Sequence, residues 1–146
     1  MKKVSNIPVS LLIPCKNEEV NLDRCIKSVD WADEIFVVDS QSSDKTPEIA
    51  QKYGAKVIQF RYQGGWPKKK NWALENLPFS NEWVLILDAD ECLPPESKDE
   101  IKIIVSNPNE KHSGYWINRR YFFLGKPLKH AYFPNWNLRL FKHKLG

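Results

Sequence analysis

The sequence predicts a single α/β domain built on a mainly parallel sheet. Short apolar runs of strand length alternate with amphipathic segments, at least two of those runs end on an aspartate, and proline or glycine punctuates the segments between them. With 146 residues, 42% hydrophobic and 27% charged, the chain can bury one ordinary core.

The elements follow in order. Val9 to Ile13 reads as the first strand, running into Pro14-Cys15-Lys16-Asn17-Glu18-Glu19, where Asn17 can cap a helix and the glutamates suit its positive end. Leu22, Ile26 and Val29 then recur at helical spacing. A second strand, Ile35 to Val38, ends at Asp39. A polar loop leads on to Thr46 as cap, Pro47 at the first helical position and Gly54 as the stop. Lys56 to Phe60 is the third strand. After Gly64-Gly65, Pro67 opens a helix that turns Ala73, Leu74 and Leu77 to the core. Trp83 to Leu87, apolar on both faces, reads as a central strand and delivers Asp88-Ala89-Asp90-Glu91 at its carboxyl end. Pro94-Pro95 start a helix carrying Ile101, Ile104 and Val105, which ends near Pro108. From Gly114 the rhythm stops, and short aromatic strands and loops replace it.

Charge and cysteine usage narrow the classes of function. The net charge of +4 is unevenly placed, because no Asp or Glu follows Glu110 while Lys111, Arg119, Arg120, Lys126, Lys129, Arg139, Lys142 and Lys144 do. Such a tail suits an anionic partner: phosphate, lipid head group or nucleic acid. The 3 cysteines fit neither a disulfide framework nor a zinc site, and they read as reduced thiols, mostly buried. His112, His130 and His143 lack metal-ligand spacing. No apolar run is long enough to span a membrane, and the amino terminus makes a poor signal peptide, so a cytoplasmic location is expected, at the inner face of the membrane if the protein contacts one.

Ligands of open α/β sheets bind outside the carboxyl ends of the strands, and three groups fall there: Lys16-Asn17-Glu18, Asp39 and Asp88-Ala89-Asp90. Two carboxylates at i and i+2 can approach one hard cation and leave positions for phosphate oxygens and water. An isolated Asp-x-Asp is more often a plain turn; the buried strand before this one and the adjoining Glu91 argue for the metal. Asp39 suits a nucleotide base or ribose as well as it suits a turn. Lys68-Lys69-Lys70, opening a helix against its dipole, mark either a diphosphate nearby or a solvated basic face. The stretch from Tyr115 to Phe123 could stack on sugar rings or rest against a membrane, while half of its aromatics are expected to close the core.

Four runs together resemble family 2 glycosyltransferases: Ser10 to Glu19, Trp31 to Thr46, Lys70-Asn-Trp-Ala-Leu, and Trp83 to Glu91. The likeness is strongest to the lipopolysaccharide core β-1,4-glucosyltransferase group and extends through Tyr121-Phe-Phe-Leu-Gly-Lys and Asn137-Leu-Arg-Leu-Phe. The resemblance implies a GT-A fold, the Rossmann-like three-layer α/β/α sandwich of nucleotide-diphospho-sugar transferases. Residues 1–110 would form its nucleotide-sugar half, and 111–146 would begin an incomplete acceptor half. It implies a UDP-sugar donor, with UDP-glucose expected, transfer with inversion, and manganese or magnesium. The acceptor would be a surface polysaccharide or a lipid-linked saccharide such as a lipopolysaccharide core.

By the same likeness, Pro14, Lys16 and Glu18 line the donor pocket, Asp39 holds the base or ribose, Lys70 lies near the donor, and Asp88 and Asp90 form the metal and diphosphate motif. Inversion needs a base to take the acceptor proton. Where many relatives carry an acid this chain has Pro134-Asn135, which leaves Glu91 as the candidate by proximity and makes a shortened domain that binds donor without efficient transfer the alternative. A nucleotidyltransferase or P-loop fold would want a glycine-rich loop after the first strand, and no glycine precedes Gly54. Nucleic acid is not the expected partner, since no recognised motif accompanies the basic tail.

Overall fold

The computed structural model describes residues 6–145. Among these residues there are eight strands and four helices, with one short 3-10 turn at the end: β1 (Ile7–Cys15), α1 (Leu22–Lys27), β2 (Ala32–Asp39), α2 (Thr46–Lys52), β3 (Lys56–Gln59), α3 (Lys69–Asn76), β4 (Trp83–Ile86), α4 (Pro95–Val105), β5 (Gly114–Asn118), β6 (Phe122–Phe123), β7 (Lys126–Pro127) and β8 (Trp136–Lys142). Six strands form one sheet in the order β3-β2-β1-β4-β8-β5, and β6 and β7 pair as a separate hairpin.

The pairings β3-β2, β2-β1 and β1-β4 are parallel, as strands joined by helical crossovers must be. The sheet turns antiparallel only where β8 enters between β4 and β5. β1 lies at the centre, with Leu11, Leu12 and Ile13 fully buried, so its consecutive residues fill both faces. One core face packs Val9, Leu11, Val37 and Leu85 against Leu22 and Ile26 of α1, Ala50 of α2 and Ile101 of α4. The other packs Leu12, Phe36, Val84 and Ile86 against Ala73 and Leu77 beside α3. Helices on both faces make the three-layer sandwich that the alternating pattern predicts.

Local readings hold with three corrections. Asn17 does not cap α1, which starts at Leu22; its backbone sits in the left-handed region at φ 52°, and its Oδ1 accepts the Ser43 N–H at 2.8 Å, joining the β1 and β2 loops. α3 opens at Lys69 rather than Pro67, and α2 opens with Thr46 already inside the helix. Gly54 does stop α2, at φ 74°, a conformation glycine adopts without a Cβ penalty. The tail departs further from expectation. Tyr115 and Ile117 pack against the core, but Trp116, Phe122 and Phe123 stand in solvent, so the aromatic stretch closes less of the core than half its rings would.

Candidate active site

The carboxyl ends of β2, β1 and β4 lie side by side, with Asp39 paired to Cys15 and Leu12 paired to Ile86. This register brings the loops carrying Lys16, Glu18, Asp39 and Asp88 to one edge.

Asp39 is fully buried. Its carboxylate accepts hydrogen bonds from the Ser42 N–H at 3.1 Å, the Ser42 hydroxyl and Gln59 Nε2 at 2.9 Å. Burial and the neighbouring Asp39 push the Cys15 thiol up to about 12, so it stays protonated. Ser42 Oγ also accepts the Asn17 N–H at 2.7 Å, and Thr46 Oγ1 accepts the Glu18 N–H at 2.8 Å. The Lys16–Glu18 loop is thereby tied to the β2–α2 loop, with Lys16 exposed and the Glu18 carboxylate accepting from Asn21 Nδ2. Pro14 is half-buried within β1, beside Val38. Next to Gln59 opens a cavity of about 320 Å³ walled by Phe60, Arg61, Tyr62, Trp66 and Trp72. Sequence patterning gave no sign of it.

The three lysines divide the work. Lys68 precedes α3. Lys69 Nζ donates to the Cys15 carbonyl at 2.7 Å, and burial pulls its pKa down against the pull of Asp39. Lys70 Nζ reaches Asp88 Oδ1 at 2.7 Å.

Asp88 leaves β4 half-buried and ringed by cations. Oδ2 accepts from Arg139 Nη2 at 3.1 Å, with Arg119 Nη1 at 3.8 Å. Burial raises the carboxyl, but hydrogen bonds from Arg139 and Lys70 outweigh it and hold Asp88 below its ordinary range. Glu91 is clamped in the same cluster. Its Oε1 accepts from Arg119 at 3.1 Å and Arg139 at 3.2 Å, and its Oε2 accepts the Asp88 N–H at 2.9 Å. Asp90 projects into solvent. Two acids, Asp88 and Glu91, thus face three bases, Lys70, Arg119 and Arg139.

The two arginines come from the tail, and sequence spacing did not single them out. Tyr115 pairs with Leu140 but Trp116 pairs with Leu138, so Arg139 is the extra residue of a β-bulge. A bulge redirects a side chain out of the strand alternation. Arg139 is 6% exposed, and its Nη1 has no hydrogen-bond partner among the described residues. No group of three His, Cys, Asp or Glu gathers among the described residues, and both Asp88 oxygens are engaged by Lys70 and Arg139, so a divalent cation at Asp88 would have to displace these contacts and take further oxygens from ligand and water.

The profile of glycosyl transferase family 2 matches residues 10–141. An uncharacterized glycosyltransferase of Rickettsia bellii is 40% identical over 75% of the chain and 37% of its own length. The lipopolysaccharide core biosynthesis glycosyltransferase LpsC of Rhizobium meliloti is 32% identical over 98% of the chain and 54% of its own length. The chain therefore spans between about a third and a half of these curated relatives. Among solved structures, TarS 1-349 of S. aureus superposes on 94% of the chain and 47% of its own at a TM-score of 0.59 and 24% identity. That likeness is one of fold, the GT-A fold.

Proposed function

Because the chain belongs to glycosyl transferase family 2, we propose that it binds a UDP-sugar across the carboxyl edge of its sheet and transfers the sugar, expected to be glucose, with inversion to a surface polysaccharide or lipopolysaccharide core acceptor. The observation that carries this reading is that Asp39 and Asp88 leave the two strands flanking β1 at one edge of the sheet, with Lys70 of α3 paired to Asp88. The name of LpsC supports the acceptor class.

The nucleoside belongs at the Asp39 end. Asp39, saturated by Ser42 and Gln59, fixes the loops and presents Gln59 beside the aromatic cavity, whose rings suit a planar base. By the family likeness, Pro14, Lys16 and Glu18 would line the donor site at the carboxyl ends of β1 and β2. The diphosphate belongs at the Asp88 end, where Lys70 and the unpartnered Arg139 Nη1 are donors for its oxygens. Asp88 and Asp90 would hold the divalent cation, manganese or magnesium, which when bound neutralises charge on the leaving diphosphate. As the acceptor oxygen bonds to the anomeric carbon, the bond to UDP breaks and the hydroxyl proton passes to a base. Residues 1–110 then serve as the donor half, and 111–146 begin the acceptor side. No helix among the described residues is long and apolar enough to cross a membrane.

Glu91 is poorly placed as that base. Both of its oxygens are occupied, one by two guanidinium groups and the other by the Asp88 N–H. Its role here is to position Asp88. This observation favours, as a second reading, a domain that binds the nucleotide sugar without transferring it.

Titration calorimetry with UDP separates these ideas. We expect manganese-dependent binding that falls at least about tenfold in Asp90→Ala and in Lys70→Ala. Metal-independent binding that survives both changes would overturn the donor site. UDP release from UDP-glucose in the presence of acceptor decides between transfer and binding alone.

A further inference from the structure

The tail after Glu110 combines positive charge without a carboxylate and an unusual display of apolar surface. Trp116 and Leu138 are paired across β5 and β8, and Trp136 is paired with Asn118 two residues along. All three side chains therefore share one face of the sheet, and all three are exposed. The β6–β7 hairpin extends this surface, with Phe122 63%, Phe123 65% and Leu124 87% exposed. Its turn places Leu124 at φ 49° and Gly125 at φ 76°. Asn or Gly is favoured in such left-handed positions and a leucine is costly, so an apolar side chain is held at the tip against local preference. Arg120, Lys126, Lys129 and His130 flank the tip and are exposed.

The hairpin is not adrift. Tyr121 accepts from Arg119 Nη2 at 2.8 Å through its hydroxyl and from the Leu128 N–H at 2.8 Å through its carbonyl, and Arg119 is part of the Asp88 cluster. Hairpin and site leave the same edge of the sheet, because β5 ends and β8 begins where β4 delivers Asp88.

We propose that the β6–β7 hairpin, with the Trp116–Leu138–Trp136 face behind it, docks this domain onto an anionic lipid bilayer, so that the Asp88 edge is presented to that surface. Aromatic and aliphatic side chains at a loop tip enter the interfacial layer, and the lysines and arginines around them meet the head-group charge. A second copy of the chain is a poorer occupant, because two faces rich in Lys and Arg and free of carboxylates repel each other. The inference stands on exposure and charge and goes beyond the sugar-transfer reading.

Vesicle flotation with the full chain tests it, using phosphatidylcholine alone and phosphatidylcholine mixed with phosphatidylglycerol. Binding is expected only to the mixed vesicles, and added salt should weaken it. Phe123→Ser with Leu124→Asn should reduce it at least about tenfold, as should Lys126→Glu with Lys129→Glu. Lys98→Glu with Lys102→Glu on α4 should leave it unchanged. Thermal unfolding and UDP titration of the hairpin variants should match the parent, which separates failure of docking from failure of the donor site. Equal binding to uncharged vesicles, full binding by both hairpin variants, equally tight binding to arbitrary duplex DNA, or self-association abolished by the hairpin changes would each overturn the proposal.

Discussion

The part of the chain up to α4 and the tail from β5 onward share one sheet but solve different problems. In the first, every strand is covered on both faces or lies beside one that is, and the polar groups at the strand ends are tied to one another by loop hydrogen bonds. The tail contributes β8 and β5, buries Leu140 and Phe141, packs Tyr115 and Ile117 against the core, and leaves Trp116, Phe122, Phe123, Leu124 and Trp136 largely in water. What the first part lacks at its carboxyl edge is counter-charge for Asp88 and Glu91, and the tail supplies it through Arg119 and Arg139. Stability resides in one region, and electrostatic completion of the candidate site comes from the other.

Mutations should divide along that line. Leu85→Ala, in the fully buried centre of β4, is expected to cost about 2–5 kcal/mol in urea unfolding, because the vacated volume lies between strands that cannot collapse. Arg139→Met should cost about 1.5–3 kcal/mol, since it strips charged hydrogen bonds from Asp88 and Glu91 together. A result near zero there would mean that the tail does not complete the site.

Acid sharpens the same comparison. Asp88 titrates below its ordinary value of 3.8 in the folded chain, so its contribution is present above that pH and is lost as the pH falls through the folded value. Urea unfolding followed between about pH 5 and pH 2 should therefore show a shallower loss of stability in Asp88→Asn than in the parent. Arg139→Met should flatten the profile in the same direction. The smallest effect belongs to the exposed face: Trp116→Ala should stay within about 0.5 kcal/mol of the parent. A larger loss would show that this face is packed in solution.

Particular residues show how far sequence reasoning reached. Asp39 and Asp88 could be placed at strand ends because the strands before them are short, continuous and apolar, and the register then had to bring their ends together. Lys70 could be suspected from charge set against a helix dipole. Asn17 could not be assigned, because its left-handed backbone depends on a partner, Ser43, in another loop.

The sequence by itself determined the parallel α/β core, the edge at which the acids emerge and the basic character of the tail, because periodicity, punctuation and composition are local properties. Only the tertiary structure decided which cations meet Asp88, that Glu91 is clamped and that the hairpin's apolar tip stands in solvent. Those outcomes depend on β8 entering the sheet antiparallel beside β4 and on a bulge that turns Arg139 toward a carboxylate 51 residues away in sequence. Long-range pairing of this kind leaves no periodic trace in the chain, since it is set by which surfaces remain free to pack once the central strands have assembled.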